Sequence, residues 1–405
     1  MNNALNIIYL LLLTSWALKK PTKFVIGYLL YTTSYFGLVT NDILISNIEI
    51  GTFLSNLIPL FCAIKYRKNL KDKASKYVIV VLLAFYVYGI TKPIIEGHQN
   101  IVMSIISSKH YTFYFFAVYL LVTKELINFN KVFNFIFFTS IYFSILYILN
   151  RVGIAIKPVE YIKKDGIQCK YDSFLAMSLL YLHSPICSIK KNKILYTILL
   201  LVGIYIGDYF SLLASSIVLL PFMYLLNKNW KRKKNIFFIL AYVTVPLIVF
   251  FHIFKDTQTY KEITSKQTDA ITSRDAHNEF RWQLIEKKHN WGYGFIHKDS
   301  HYISLFTRSD NEYMSSLSFI DSGYIDLMGK FGLYGTILFL LIPLYMIWIA
   351  LRNIKNSFLT VMIIQFFAVN LTWSVFTYEV GITLLVLAYS YILINQKKQI
   401  PQSNI

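Results

Sequence analysis

Residues 332–350 read GLYGTILFLLIPLYMIWIA, and this stretch decides the fold. It holds no Asp, Glu, Lys or Arg over the length a helix needs to cross a hydrocarbon core of about 30 Å. Arg352 and Lys355 follow at once, and a second apolar run opens at residue 357. Outward from here the pattern repeats: apolar runs are read at 4–18, 24–40, 51–64, 77–92, 111–123, 132–150, 173–187, 194–207, 210–226, 236–254, 332–350, 357–373 and 382–395. The chain has 405 residues, 56% of them hydrophobic and only 15% charged, with mean hydropathy +0.49. Soluble domains carry about 25% charge. That shortfall excludes disorder, a secreted disulfide scaffold and a nucleic-acid-binding module. The expected fold is all-α, a polytopic membrane helical bundle of about 13 spans (12–14). Residues 1–405 form a single membrane domain, interrupted by one large loop at 255–331.

The net charge of +19 is a topology signal. Lys and Arg concentrate in alternate connections: Lys19 to Lys23, Lys65 to Lys76, Lys124/Lys131, Lys190 to Lys193, Lys228 to Lys234, Arg352/Lys355 and Lys397/Lys398. These seven segments hold 23 basic residues and two acidic ones, Asp72 and Glu125, which leaves 17 basic and 19 acidic residues for the other side. The positive-inside rule then puts the amino terminus outside and the carboxyl terminus in the cytoplasm. The lipid bilayer, with its anionic headgroups, is the partner this charge fits, and nucleic acid is not. Cys62, Cys169 and Cys187 have neither disulfide-framework nor metal spacing. The first apolar run lacks a basic n-region and a cleavage site, so it is read as a retained span.

Connections in a helical bundle are short, and a long one is usually functional. The extracytoplasmic loop 255–331 carries ten of the 17 external basic residues. Thr272-Ser273-Arg274-Asp275 resembles a helix start, and Gly292 ends the run that follows. Arg274 and Arg281, seven apart, share one helical face, with Phe280, Leu284 and Ile285 supplying an apolar stripe. Two guanidinium forks so aligned either hold a lipid-linked pyrophosphate or meet lipid headgroups. Trp291-Gly292-Tyr293-Gly294-Phe295 reads as a tight glycine turn flanked by aromatics. A second helix is expected from about Asn311 into Asp321-Ser322-Gly323-Tyr324, and Gly332 and Gly335 mark the start of the next span. Asp321 either accepts a proton as a general base or caps a helix. His277, His289, His297 and His301 cluster loosely without ligand spacing, so no metal is expected. Asp208 and Glu379 each read as a turn residue or, if inside the bundle, as a functional carboxylate. No Walker loop, GxSxG or dinucleotide fingerprint occurs, and no cofactor is implied.

The order Arg274, Arg281-Trp282, Gly292-Tyr293-Gly294-Phe295 and then Asp321-Ser322-Gly323-Tyr324 with Gly332 and Gly335 resembles the bacterial O-antigen polymerase and O-antigen ligase superfamily. Members are multi-span enzymes with one large late extracytoplasmic loop. The motif likeness covers about 60 residues, and the span count and loop position extend it loosely over the chain. Two departures are visible. Ligases of this kind show a histidine where Asp321 stands, which favours polymerase. Many members carry an Arg after a Ser at a short external turn in mid-chain, where this sequence reads Gly207-Asp208-Tyr209-Phe210-Ser211. Lys163, Lys164 or Lys170 of the earlier external loop would supply that charge.

The resemblance implies a glycosyltransferase of the bacterial cytoplasmic (inner) membrane, polymerising undecaprenyl-pyrophosphate-linked oligosaccharide repeat units into O-antigen, capsular or exopolysaccharide. It implies Asp321 as catalytic base, and Arg274, Arg281 and Lys170 on the pyrophosphate. Trp282, Tyr293 and His301 fall to the sugar. A chain-length regulator and a flippase are the implied partners. The alternatives are an O-antigen ligase, or a lipid-linked oligosaccharide flippase or other transporter. A transporter would be expected to show internal repeats and mid-membrane charge.

Overall fold

The computed structural model describes residues 2–32, 44–45, 48–154, 162–163, 166–167, 172–207, 210–227, 282, 285–288, 290–297, 300, 322–371 and 374–397. Their regular secondary structure is α-helical, apart from 3₁₀ turns and two antiparallel hairpins of two-residue strands, β1 (Leu44–Ile45) with β2 (Ile48–Glu49) and β3 (Ile162–Lys163) with β4 (Gly166–Ile167). In chain order the helices are α1 (Asn2–Lys19), α2 (Pro21–Thr32), α3 (Ile50–Lys65), α4 (Lys73–Ile95), α5 (Ile101–Ser107), α6 (Phe115–Thr123), α7 (Phe129–Arg151), α8 (Asp172–Leu182), α9 (Lys193–Ile206), α10 (Phe210–Asn227), α11 (Gly323–Ala350), α12 (Ser357–Val369) and α13 (Glu379–Lys397).

Four of them, α4, α7, α11 and α13, are long and apolar enough to cross a membrane, and a bent pair, Ile101–Ser107 with Tyr111–Leu126, makes up to five. Six further apolar helices of 10–17 residues lie at expected runs. Together these helices indicate a multi-pass membrane protein. The differences from the sequence reading have local causes. The run at 111–123 is not one straight helix: it opens with a 3₁₀ turn at Tyr111–Tyr114 and meets α5 at 69°. The run beginning at 332 starts earlier, at Gly323, and is broken at Gly332. The expected span at 236–254 and the second half of 24–40 lie outside the described residues.

Local chemistry sets the helix starts. Asp72 caps α4 by accepting from the Ser75 N–H at 2.7 Å. Asn100 caps α5 from Met103 N–H at 2.9 Å, and Asn128 caps α7 from Lys131 N–H at 3.1 Å. Apolar surface alone does not hold helices together in lipid, so small and polar residues mark the contacts. Ser140 of α7 and Ser178 of α8 join hydroxyls at 2.8 Å. Gly203 of α9 packs against Ser144 and Leu175. The Gln365 amide of α12 donates to the Ser215 and Ser216 hydroxyls of α10, at 3.1 and 2.8 Å.

The two ends of the bundle are built from different connections. At one end Lys65 Nζ and Tyr66 Oη donate to the Leu18 carbonyl, both at 2.6 Å. Asn128 N–H reaches Thr22 there, and Asn395 reaches Asn356 at 2.9 Å. Lys124, buried, pairs with Asp72 and reaches Ser75 Oγ. Burial alone would raise the Asp72 carboxyl, but the hydrogen bonds from Lys124 and Ser75 outweigh it and hold it below the usual range. All these residues border connections that the sequence assigns to the cytoplasm. The opposite end gathers the connections at 92–110, 288–297 and 374–379, and the first turns of α11.

Candidate functional site

The glycine turn of the large loop lies at this second end. Gly292 and Gly294 have φ of +63° and +76°, the left-handed region that glycine enters without penalty. The turn docks into a break in α11. Tyr293 N–H donates to the Gly329 carbonyl and Gly294 N–H to the Lys330 carbonyl, both at 2.8 Å. A regular helix turns such carbonyls onto its own next turn; here they accept from another segment. Gly332, at φ +68° and ψ −175°, makes the break. The backbones cross so closely that a β-carbon on Gly292 would lie 2.7 Å from the Lys330 carbonyl oxygen, and one on Gly332 would strike the Asn290 carbonyl. Phe295 N–H then donates to the Gly89 carbonyl of α4 at 2.7 Å, which completes the clamp. Irregular backbone at membrane depth is tolerated only where protein buries it or a cavity is lined by it.

Side chains fix the turn from the α4 side. Gln99, buried, donates to the Phe295 carbonyl at 2.6 Å and accepts from His297 N–H at 2.9 Å. Tyr88 Oη donates to the Trp291 carbonyl. Glu96 bridges Lys92, at 2.9 Å, and Lys288 of the loop. Burial alone would raise the Glu96 carboxyl, yet the two ammonium groups prevail and hold it below the usual carboxylate range. Lys288 also stands over the Tyr293 ring at 5.1 Å.

A second polar group stands on the α11–α13 side. Asp326, buried in the first turn of α11, pairs with Lys330 at 2.7 Å and accepts from the Thr377 hydroxyl at 2.6 Å. Gly323 N–H donates to the Asn370 carbonyl at 2.9 Å, which ties the start of α11 to the end of α12. Two residues past Thr377, Glu379 opens α13 and meets His110 Nδ1 at 3.3 Å. Between the two polar groups lies an aromatic wall. Tyr111 packs on Phe295 and Phe331 at centroid distances of 5.3 and 5.8 Å, and its buried hydroxyl has no hydrogen-bond partner among the described residues.

Of the residues expected from sequence, Arg274, Arg281, Asp321, Lys170 and His301 lie outside the described residues, as do Asp208 and Cys169. Trp282 is helical and exposed. Tyr293 is buried in the docked turn, beneath Lys288. Among the described residues no group of three His, Cys, Asp or Glu side chains could hold a metal ion. Sequence reading missed Asp326, Lys330, Glu96 and His110 as site members. For Asp326 and Lys330 an i,i+4 spacing at the mouth of a span was the available signal. For His110 there was none, because its partner is remote in sequence. No protein-family model matches the chain, and no curated protein aligns with it significantly.

Proposed function

We propose that this protein is a membrane glycosyltransferase that polymerises lipid-pyrophosphate-linked oligosaccharide repeat units on the outer face of the bacterial cytoplasmic membrane. In this reading it has about 13 spans, with the amino terminus outside and the carboxyl terminus in the cytoplasm. The observation that carries it is the docking of the glycine turn into the break of α11. The two segments whose order resembles the polymerase and ligase superfamily are thereby in direct backbone contact. They meet at the end of the bundle where buried carboxylates collect, opposite the lysine-rich end.

The chemistry is displacement at an anomeric carbon. An acceptor hydroxyl forms the new glycosidic bond, and the bond to the lipid pyrophosphate breaks. The leaving group needs fixed positive charge. Lys92 and Lys288 are engaged by Glu96, and Lys330 by Asp326. By the resemblance, the pyrophosphate falls to Arg274, Arg281 and Lys170. The donor is already activated, so neither a nucleotide motif nor a cofactor is called for. Deletion of the gene followed by a surface-glycan gel tests the reading. Loss of the long ladder with a single capped repeat retained supports polymerase. Loss of every capped form means ligase, and repeat units trapped inside mean flippase.

A further inference from the structure

We propose that His110 takes the proton of the acceptor hydroxyl and that Glu379 positions it; this rests on the glycosyl transfer proposed above and names its base. Displacement by a sugar hydroxyl is helped by a group that removes its proton as the new bond forms. Sequence offers Asp321 for this. Among the described residues a differently equipped pair stands at the end of the bundle that holds the docked turn. Glu379 Oε1 lies 3.3 Å from His110 Nδ1; the Glu379 side chain is 7% exposed and that of His110 is 52% exposed. A buried carboxylate on one ring nitrogen fixes the tautomer and orientation of an imidazole, and leaves Nε2 as the proton acceptor. The exposed partner is the one that reaches substrate, and the buried one holds it.

Both halves of the pair are anchored. His110 immediately precedes the 3₁₀ turn Tyr111–Tyr114, and Tyr111 is wedged against Phe295 of the docked turn. Tyr114 Oη donates to the Phe376 carbonyl at 2.6 Å, which ties the His110 segment to the connection that carries Glu379. Thr377, in that same connection, is bonded to Asp326. Glu379 is the first residue of α13, where the helix macrodipole favours a carboxylate. Atoms balance as follows. The acceptor O–H proton passes to His110 Nε2 as the oxygen bonds to the anomeric carbon. The anomeric C–O bond breaks, and its electron pair leaves on the lipid pyrophosphate. The imidazolium then releases its proton to solvent.

The test uses full-length protein in nanodiscs. The probe is the lipid-linked repeat unit that accumulates in the deletion strain, serving as both donor and acceptor. His110→Ala should lower turnover by about 100-fold or more, the scale of a general base, with the half-saturating donor concentration within about threefold of wild type. Added imidazole should restore part of that loss. Glu379→Gln should lower turnover by about 10-fold or more, Glu379→Asp should recover part of it, and imidazole should rescue neither. Where His110→Ala elutes aggregated, His110→Asn takes its place with the same expectation. Wild type active and His110→Ala within threefold of it overturns the proposal and leaves the polymerase reading standing. So does a loss matched by weaker donor binding and untouched by imidazole, which marks His110 as structural. A normal glycan ladder in the deletion strain, with no repeat unit accumulating there, overturns the polymerase reading itself.

Discussion

Replacing Gly332 by alanine should loosen the docked glycine turn, and the size of the effect follows from the backbone. At φ +68° and ψ −175° the residue occupies a region that non-glycine residues enter at a cost of about 1–3 kcal/mol. A β-carbon there also strikes the Asn290 carbonyl. The chain has two responses. It keeps the break and bears the strain, or it regularises α11 and surrenders the Tyr293 and Gly294 hydrogen bonds, each a net of about 0.5–1.5 kcal/mol. Either response shifts the balance between docked and undocked turn by about 1–3 kcal/mol, hence its opening population by roughly 5- to 150-fold. The assay is thiol labelling of purified protein with Cys62, Cys169 and Cys187 replaced by serine and a reporter Tyr293→Cys, at a position buried in the docked state. Under conditions where reclosing outpaces labelling, so that the rate follows the open population, Gly332→Ala should raise the rate by that factor. Gly329→Ala is the control, since a β-carbon at Gly329 meets nothing within 4 Å. Equal rates in Gly332→Ala and its parent, or an equal rise in both glycine variants, would refute the docking argument.

Single cysteines placed in residues 255–330 should react with a membrane-impermeant thiol reagent in intact cells; labelling only after permeabilisation would reverse the topology. Arg281→Ala, and more weakly Arg274→Ala, should abolish chain extension in inserted, abundant protein. Arg281→Lys should keep part of it, because an ammonium retains the charge and loses the fork; a wild-type ladder from both alanine variants at normal abundance removes the pyrophosphate assignment. The Glu96 carboxyl is held below its ordinary value when folded, so its pairs with Lys92 and Lys288 stabilise fully above the unfolded glutamate pKa of about 4.3. That stability is lost as pH falls through the lower folded value, so the melting-temperature gap between wild type and Glu96→Gln should be constant from pH 7 to 5.5 and close on further acidification. A gap that widens on acidification contradicts the sign.

What was legible in the sequence is what local pattern encodes. The runs at 51–64, 132–150 and 194–207 reappear as α3, α7 and α9 to within a few residues, because apolar continuity and caps such as Asn128 are local. The Gly292–Gly294 turn was legible because glycine pairs announce left-handed backbone. Its docking was not. Gly332 read as the start of a span, since sequence reveals a permissive residue and not the remote carbonyl, Asn290, that requires it. Glu379 was read as turn residue or functional carboxylate, and nothing near it in sequence names His110 as its partner. Arg274, Arg281 and Asp321 remain expectations from pattern and resemblance, outside the described residues.

The two ends of the bundle differ in how many of their described lysines are paired with carboxylates, and this bears on where an anionic substrate is bound. At the end assigned to the cytoplasm, Lys19, Lys20, Lys23, Lys65, Arg67, Lys68, Lys71, Lys73, Lys76, Lys190 and Lys191 are all exposed, and among the described residues only Lys124 is buried, against Asp72. Exposed cations of this kind are what anionic headgroups neutralise, so they need no carboxylate from the protein. At the other end three lysines beside the docked turn lean on buried or half-buried carboxylates, Lys92 and Lys288 on Glu96 and Lys330 on Asp326, while Lys287 is exposed. A cation already matched in this way adds little to the binding of a pyrophosphate, because its field is cancelled at short range. These pairs are therefore better suited to hold the turn and the broken helix in register than to grip the leaving group. The resemblance assigns the positive charge that the proposed reaction needs to Arg274 and Arg281, seven residues apart in the sequence of the large loop with Asp275 and Glu279 between them.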